Sequence, residues 1–209
     1  GSRNTLNIQP IVPFSLNAKY SLITRYIVPV IAQYDITGEG TRQSGLSDAL
    51  VSAWISNAVV KNGFVWGVGS AFLVPTATND ILGTKKFGVG PTVILLRQAN
   101  GWTMGILANQ IWSVAGDENR QAVNQMYLQP FITHNWKSGS GLTLNSEITQ
   151  NWEAGTTNAY INLMAGALTK FGNQLVQFQI GPRIQVAAPE ESKSPFGVRI
   201  AAIFVFPKK

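Results

Sequence analysis

Two neighbouring stretches near the C-terminal end restrict the fold more than anything else in the chain. From Gln174 to Val186 the side chains split by parity: Val176, Phe178, Ile180, Pro182, Ile184 and Val186 against Gln177, Gln179, Gly181, Arg183 and Gln185. After the polar break Pro189–Pro195 the split returns, with Phe196, Val198, Ile200, Ala202, Phe204 and Phe206 opposed to Gly197, Arg199, Ala201, Ile203 and Val205. A period of two is that of a strand with one apolar and one polar face. The two runs therefore form an antiparallel pair. Arginine and glutamine at mid-strand fit the wall of a wet lumen, with the apolar face turned to lipid, which is the pattern of a membrane β-barrel.

Composition agrees in one respect and is neutral in the others. An apolar content of 45 % would also serve a soluble core, but charged residues are only 12 %, against about 25 % in soluble domains. The longest clean apolar run, Ile200–Phe206, is far shorter than the roughly 20 residues of a spanning helix. Helical spans are excluded on that ground. The chain has no cysteine, hence no disulfide and no thiolate metal site, as suits but does not prove passage through an oxidising periplasm. The opening Gly1-Ser2 resembles a remnant of expression, so the lack of a visible signal peptide does not argue for the cytoplasm.

Taken in order, the chain reads as hairpins. Asn4–Leu16 alternates, turns at Asn17-Ala18, and returns as Lys19–Tyr34 with Tyr20, Leu22, Tyr26, Val28, Val30 and Tyr34 on one side and Ser21, Arg25 and Gln33 on the other. Gly45–Ser56 is a strand whose facing stays open, since Asp48 and Trp54 share a parity; the facing of Trp102–Val114 stays open as well. Gly63–Val74, Phe87–Arg97, Val123–Trp136, the strand from Leu142 and Asn158–Thr169 complete eleven strands, with Asn100-Gly101 as a hairpin turn signal. The reading is one domain over residues 1–209, an all-β, antiparallel, up-and-down transmembrane barrel. Pro10, Pro29, Pro91, Pro130 and Pro182 fall inside strands, each removing a ladder hydrogen bond, which the pattern alone does not explain. A bacterial single-chain barrel closes with an even number of strands and both termini on the periplasmic side. The expectation is thus a twelve-stranded natural barrel whose first strand is absent from this sequence, leaving an open edge or a strained parallel seam.

Charge separates the two ends. Asp35, Glu39, Asp80, Asp117, Glu118, Glu153, Glu190 and Glu191 lie in or beside the longer loops, whereas the short turns carry or adjoin Lys19, Lys61, Arg97, Lys137 and Lys170 and no acid. Longer loops face outward in outer-membrane barrels, so the acidic end is expected outside. The net charge of +6 is dispersed rather than gathered in one patch and is not a nucleic-acid footprint.

Several longer motifs resemble a known family. Asn7-Ile8-Gln9-Pro10-Ile11-Val12-Pro13-Phe14-Ser15-Leu16, Phe72-Leu73-Val74-Pro75-Thr76-Ala77-Thr78, Gly88-Val89-Gly90-Pro91-Thr92, Leu107–Asp117, Leu128-Gln129-Pro130-Phe131 and the Phe206-Pro207-Lys208 ending are similar to the Gram-negative outer-membrane family described as transporters of the phenol-degradation meta pathway, some members of which carry a neuromedin U label. The resemblance implies a bacterial outer-membrane barrel in contact with the bilayer and lipopolysaccharide, delivered by the outer-membrane assembly machinery, and passage of small solutes, aromatic ones included.

The residues offer little for catalysis, so the chain is read as no enzyme. The single histidine, His134, shares its parity with Leu128, Pro130, Ile132 and Trp136, an interfacial lipid-side position. Glu147 is the one acid at a mid-strand lumen position, so paired carboxylates are missing. Metal-ligand spacing is absent, and no cofactor is expected. Gly88-Val89-Gly90 reads as a place of close backbone approach, and Asp117-Glu118-Asn119 as a solvated loop. What remains is a polar lining of Gln9, Arg25, Gln33, Asn145, Glu147, Asn162, Gln177, Gln179, Arg183, Gln185 and Arg199, between aromatic belts that include Tyr20, Tyr34, Trp66, Trp152, Phe204 and Phe206. Three arginines against one glutamate predict a porin-like channel favouring anions or polar solutes. One rival is a structural or adhesive barrel plugged by these same long side chains, with Glu147 neutralising one arginine. Another is a soluble lipid-binding barrel, which requires the faces to be inverted.

Overall fold

The structure is a computed structural model that describes residues 1–190 and 193–206. Glu191 and the Pro207-Lys208 part of the C-terminal motif lie outside the described residues. The fold is all-β, with 72 % of residues in strands and no α-helix among the described residues. Its elements are β1 (Ser2–Ile8), β2 (Ile11–Ser15), β3 (Tyr20–Tyr34), β4 (Arg42–Leu46), β5 (Ala49–Asn57), β6 (Phe64–Val74), β7 (Lys86–Ala99), β8 (Trp102–Gly116), β9 (Asn124–Asn135), β10 (Ser140–Asn151), β11 (Thr156–Phe171), β12 (Gln174–Ala187) and β13 (Phe196–Val205). β1 and β2 pair in succession with one edge of β3, and β4 and β5 with the other, so the sheet has eleven positions, all antiparallel. The sheet curls into a half-barrel consistent with an up-and-down β-barrel.

Two expected strands are each divided, and prolines account for both breaks. Asn4–Leu16 is interrupted at Gln9-Pro10 between β1 and β2, and the Gly45–Ser56 strand at Ser47-Asp48, opposite Pro29 of β3. The other three prolines act in the same way on one ladder each. Pairing lapses between β7 and β8 at Gly90-Pro91, between β9 and β10 at Gln129-Pro130, and between β11 and β12 at Gly181-Pro182. On the opposite side each of these strands keeps its register, as in Ser70↔Pro91, Ile106↔Pro130 and Pro182↔Val198. A proline that loses one donor is tolerated where the strand bends away from one neighbour only. The Gly-Pro pairs show the bend directly: a Cβ on Gly90 or Gly181 would lie 1.8 Å from the carbonyl oxygen of Gln110 or Leu163.

The short turns follow their sequence signals. Asn100 and Gly101 both have positive φ, 52° and 81°, the pairing demanded by a two-residue hairpin of the type whose twist matches the strands. All short turns lie at one end of the sheet and the loops 35–41, 75–85, 117–123 and 152–155, with the described residues 188–190 and 193–195, at the other. Among the described residues, β1 and β13 are not paired with each other. Both run from the loop end to the turn end, as an odd strand count requires, and the sheet stays open between them.

Facing follows from register. Arg25↔Ser52, Trp54↔Gly69, Gly69↔Thr92, Thr92↔Asn109, Asn109↔Tyr127, Thr143↔Thr133, Asn145↔Asn162 and Asn162↔Arg183 pass one face from strand to strand. That face is concave and carries the buried side chains, among them Trp54 at 4 % exposure and Asn162 at 0 %. The convex face carries exposed large hydrophobics such as Leu144, Phe178 and Ile200, the last at 72 %.

Candidate functional site: a charged network inside the half-barrel

The centre of the concave face is Glu147 on β10, opposite the lapse that Pro130 makes in the neighbouring ladder. Its Oε2 accepts a hydrogen bond from Nη1 of Arg183 at 2.6 Å, and its Oε1 accepts one from Nη1 of Arg199. Arg183 also donates to Asn162 Oδ1 at 3.2 Å and lies over the Tyr160 ring, 3.9 Å from its centroid. Asn162 donates to Asn145 at 2.8 Å, and Tyr160 accepts from Gln185 at 2.9 Å. One carboxylate thus bridges two arginines, where one pairing was expected. The reason is topological: β13 lies beside β12 with Gly181↔Arg199 and Arg183↔Gly197 in register, so the two guanidinium groups leave the sheet side by side. Glycines opposite each arginine provide the room.

The network reaches across the concavity. Arg25 on β3 donates to Gln9 Oε1 at 3.0 Å, and Tyr127 on β9 lies within electrostatic range of Arg25, Glu147, Arg183 and Arg199. Arg25 Nε is buried without a partner among the described residues. Of the remaining expected lining, Gln33 lies near the loop end, where it donates to Gln43 at 2.9 Å. Gln177 and Gln179 sit nearer the turn end, outside the network, with Gln179 against Gly166. All eleven expected positions share the concave side, but only part of them meet.

The concave face is not polar throughout, which corrects the picture of a wholly polar lumen. Along β5 to β9 it holds Trp54, Ile94, Leu107, Ile111 and Phe131, packed down on small residues of adjacent strands. A Cβ on Gly67 would meet Trp54 and Ile94, one on Gly88 would meet Ile111, and one on Gly105 would meet Phe131. The open facing of Gly45–Ser56 is resolved: Asp48 and Trp54 both point inward, Trp54 donating to Thr92 Oγ1 at 3.2 Å. Trp102–Val114 turns Leu107, Asn109 and Ile111 inward and Trp102, Met104 and Trp112 outward. The signal for this apolar sector is in the sequence, in the parity of the small residues Gly67, Gly69, Ala71, Gly88 and Gly90.

Asp48 organises the mouth. Its carboxylate accepts from Thr84 N and Thr84 Oγ1, both at 2.6 Å, and from Ala77 N at 3.2 Å. Ser47 donates to Leu82 O, and Arg120 donates to Asp80 O and Gly83 O at 2.7 and 2.5 Å. Loop 75–85 is thereby folded over the inner side of β4 and β5, with Leu82 buried. On its outer surface a hydrogen bond and the charge of Lys85 hold the Asp80 carboxyl below the usual carboxylate range. Replacing Asp48 with alanine should release the loop. Hydrogen bonds to a charged acceptor are worth roughly 1.5 kcal/mol or more each, so amide exchange at Ala77 and Thr84 is expected to accelerate about 100-fold. Unchanged protection at both amides would show that the loop is held without this carboxylate.

The convex side carries the aromatic residues expected at interfaces. Tyr20 and Trp66 meet edge to face at 6.3 Å at the turn end, where Phe204 and Phe206 are also exposed. At the loop end Tyr34 lies under Arg42 at 4.5 Å and Trp152 donates to Gln110 at 3.1 Å. His134 is on this side, between Trp102 and Trp136. Asp117 is taken up in an Asx turn by Asn119, and no acid or histidine group able to hold a metal occurs among the described residues. No protein-family model, curated protein or solved structure matches this chain.

Proposed function

We propose that this chain is an outer-membrane channel of a Gram-negative bacterium that passes small polar or anionic solutes without catalysis. The observation that carries the reading is the pairing of faces: arginines inside, exposed aliphatic residues outside, and aromatic residues toward both ends of the strands. A soluble lipid-binding barrel requires the opposite arrangement. The apolar sector around Trp54 and Phe131, facing the arginines, suits solutes with a ring or short chain as well as a charge, and the motif resemblance favours aromatic compounds among them. Bilayer lipid, lipopolysaccharide and the assembly machinery are the implied partners, with the aromatic end of β13 as the segment presented for assembly.

A second reading, a closed structural or adhesive barrel, draws support from the Glu147 bridge and from loop 75–85, both of which occupy the lumen side. Conductance in planar bilayers separates the two. Discrete steps with a preference for anions are expected of the channel, whereas folded, inserted protein that gives no steps would leave the closed barrel.

Orientation has its own test. A protease site placed at Gly38-Glu39-Gly40 or at Asp117-Glu118 should be cut on intact cells and one at Asn100-Gly101 protected, because the loop end is longer and acidic. Cleavage at Asn100-Gly101 alone would invert the arrangement.

A further inference from the structure

On the convex face at the turn end, Trp102, His134 and Leu142 stand in one register row across β8, β9 and β10, with Met104, Ile132 and Leu144 in the next row toward mid-strand. The imidazole is clamped between two indoles, 4.4 Å from Trp102 and 4.8 Å from Trp136. Trp102, Ile132, His134, Trp136, Leu142 and Leu144 line a cleft of about 340 Å³. His134 Nδ1 is buried and has no hydrogen-bond partner among the described residues, a rare condition that calls for a partner in a native protein. Lys137 follows in the adjoining turn, and Arg97 faces outward on β7 beside Met104. The described short turns carry no acid to oppose them.

We infer that this cleft is a binding site for an anionic glycerophospholipid of the leaflet at the turn end. The inference rests on the membrane reading above and adds to it a located, charge-selective site. Three features specify the occupant. The rows are ordered along the strands, with the polar and indole groups nearest the turn and the aliphatic ones toward the middle, as a headgroup and its acyl chain are ordered. Lys137 in the adjoining turn complements a phosphate rather than a cation, with Arg97 one row further along the strands. The tryptophans supply rings suited to the level between headgroup and hydrocarbon.

The test uses the full chain in phosphatidylcholine vesicles containing a minor fraction of brominated lipid, either phosphatidylglycerol or phosphatidylcholine, and reads tryptophan quenching. Trp102 and Trp136 line the cleft, so brominated phosphatidylglycerol should quench more than brominated phosphatidylcholine at equal mole fraction. A single basic group near the surface favours an anionic lipid roughly fivefold, and local enrichment of at least about that size is expected. The excess should disappear in the double variant His134→Leu, Lys137→Gln, whose folding is checked by an unchanged quenching by brominated phosphatidylcholine. Equal quenching by both lipids in the unmodified protein would overturn the site, and so would an excess that survives in the double variant. Absence of quenching by either lipid would overturn the membrane reading itself, a result distinct from loss of selectivity alone.

Discussion

Replacing Glu147 with alanine is expected to destabilise the protein by about 3 kcal/mol, because removing one partner of a buried ion pair leaves the other charge uncompensated, at a cost of roughly 3–5 kcal/mol. The lower end applies here: the Glu147 side chain is 14 % exposed, but Arg183 and Arg199 are 29 % and 31 % exposed and recover some hydration. The cost comes from the two arginines left facing each other. It follows that Glu147→Ala combined with Arg183→Met and Arg199→Met should be markedly more stable than the single variant, since well-packed apolar groups can replace a buried ionic cluster. Urea unfolding of the vesicle-inserted proteins measures both differences. A single variant within about 0.5 kcal/mol of the parent, the range of ordinary surface changes, would mean that Glu147 does not hold the network.

If the proposed channel function holds, replacing Arg25, Arg183 and Arg199 together by glutamate should reverse its ion preference. The arginines and Glu147 then change from three positive charges against one negative to four carboxylates, with the inward Asp48 unchanged at the loop end, and fixed charge in a narrow path acts at short range with little screening. In a salt gradient the reversal potential should change sign. A reversal potential that keeps its sign in a protein that still conducts would place these side chains off the ion path.

The strand plan was legible because alternation over ten or more residues has one interpretation, and the eleven strand positions follow it closely. The breaks at Gln9-Pro10 and Ser47-Asp48 were less so, because a proline marks a lost donor without saying which neighbour is lost. That depends on pairing. In the site, the polar parity of Asn145, Glu147, Asn162, Arg183 and Arg199 was readable, but the double bridge was not, since it depends on the register that places Arg199 opposite Gly181. The facing of Trp54 stayed open for a related reason. An indole looks like an interfacial residue until the glycines of the adjacent strands are seen to leave space for it inside. Asp48 left the facing of its strand open because its partners, Ala77 and Thr84, lie in a loop far along the chain.

The central claim, an apolar face in lipid and a polar face inside, is tested most directly along β10. The chain has no cysteine, so spin labels can be placed one at a time from Leu142 to Thr149 in vesicle-inserted protein. Labels at Leu142, Leu144 and Ile148 should collide with dissolved oxygen, which partitions into the hydrocarbon. Labels at Thr143, Asn145 and Thr149 should respond instead to a water-soluble nickel chelate or be immobilised against the Glu147 network. An accessibility profile with a period of two and this phase is the predicted result; the opposite phase, or water access at every position, would contradict the account.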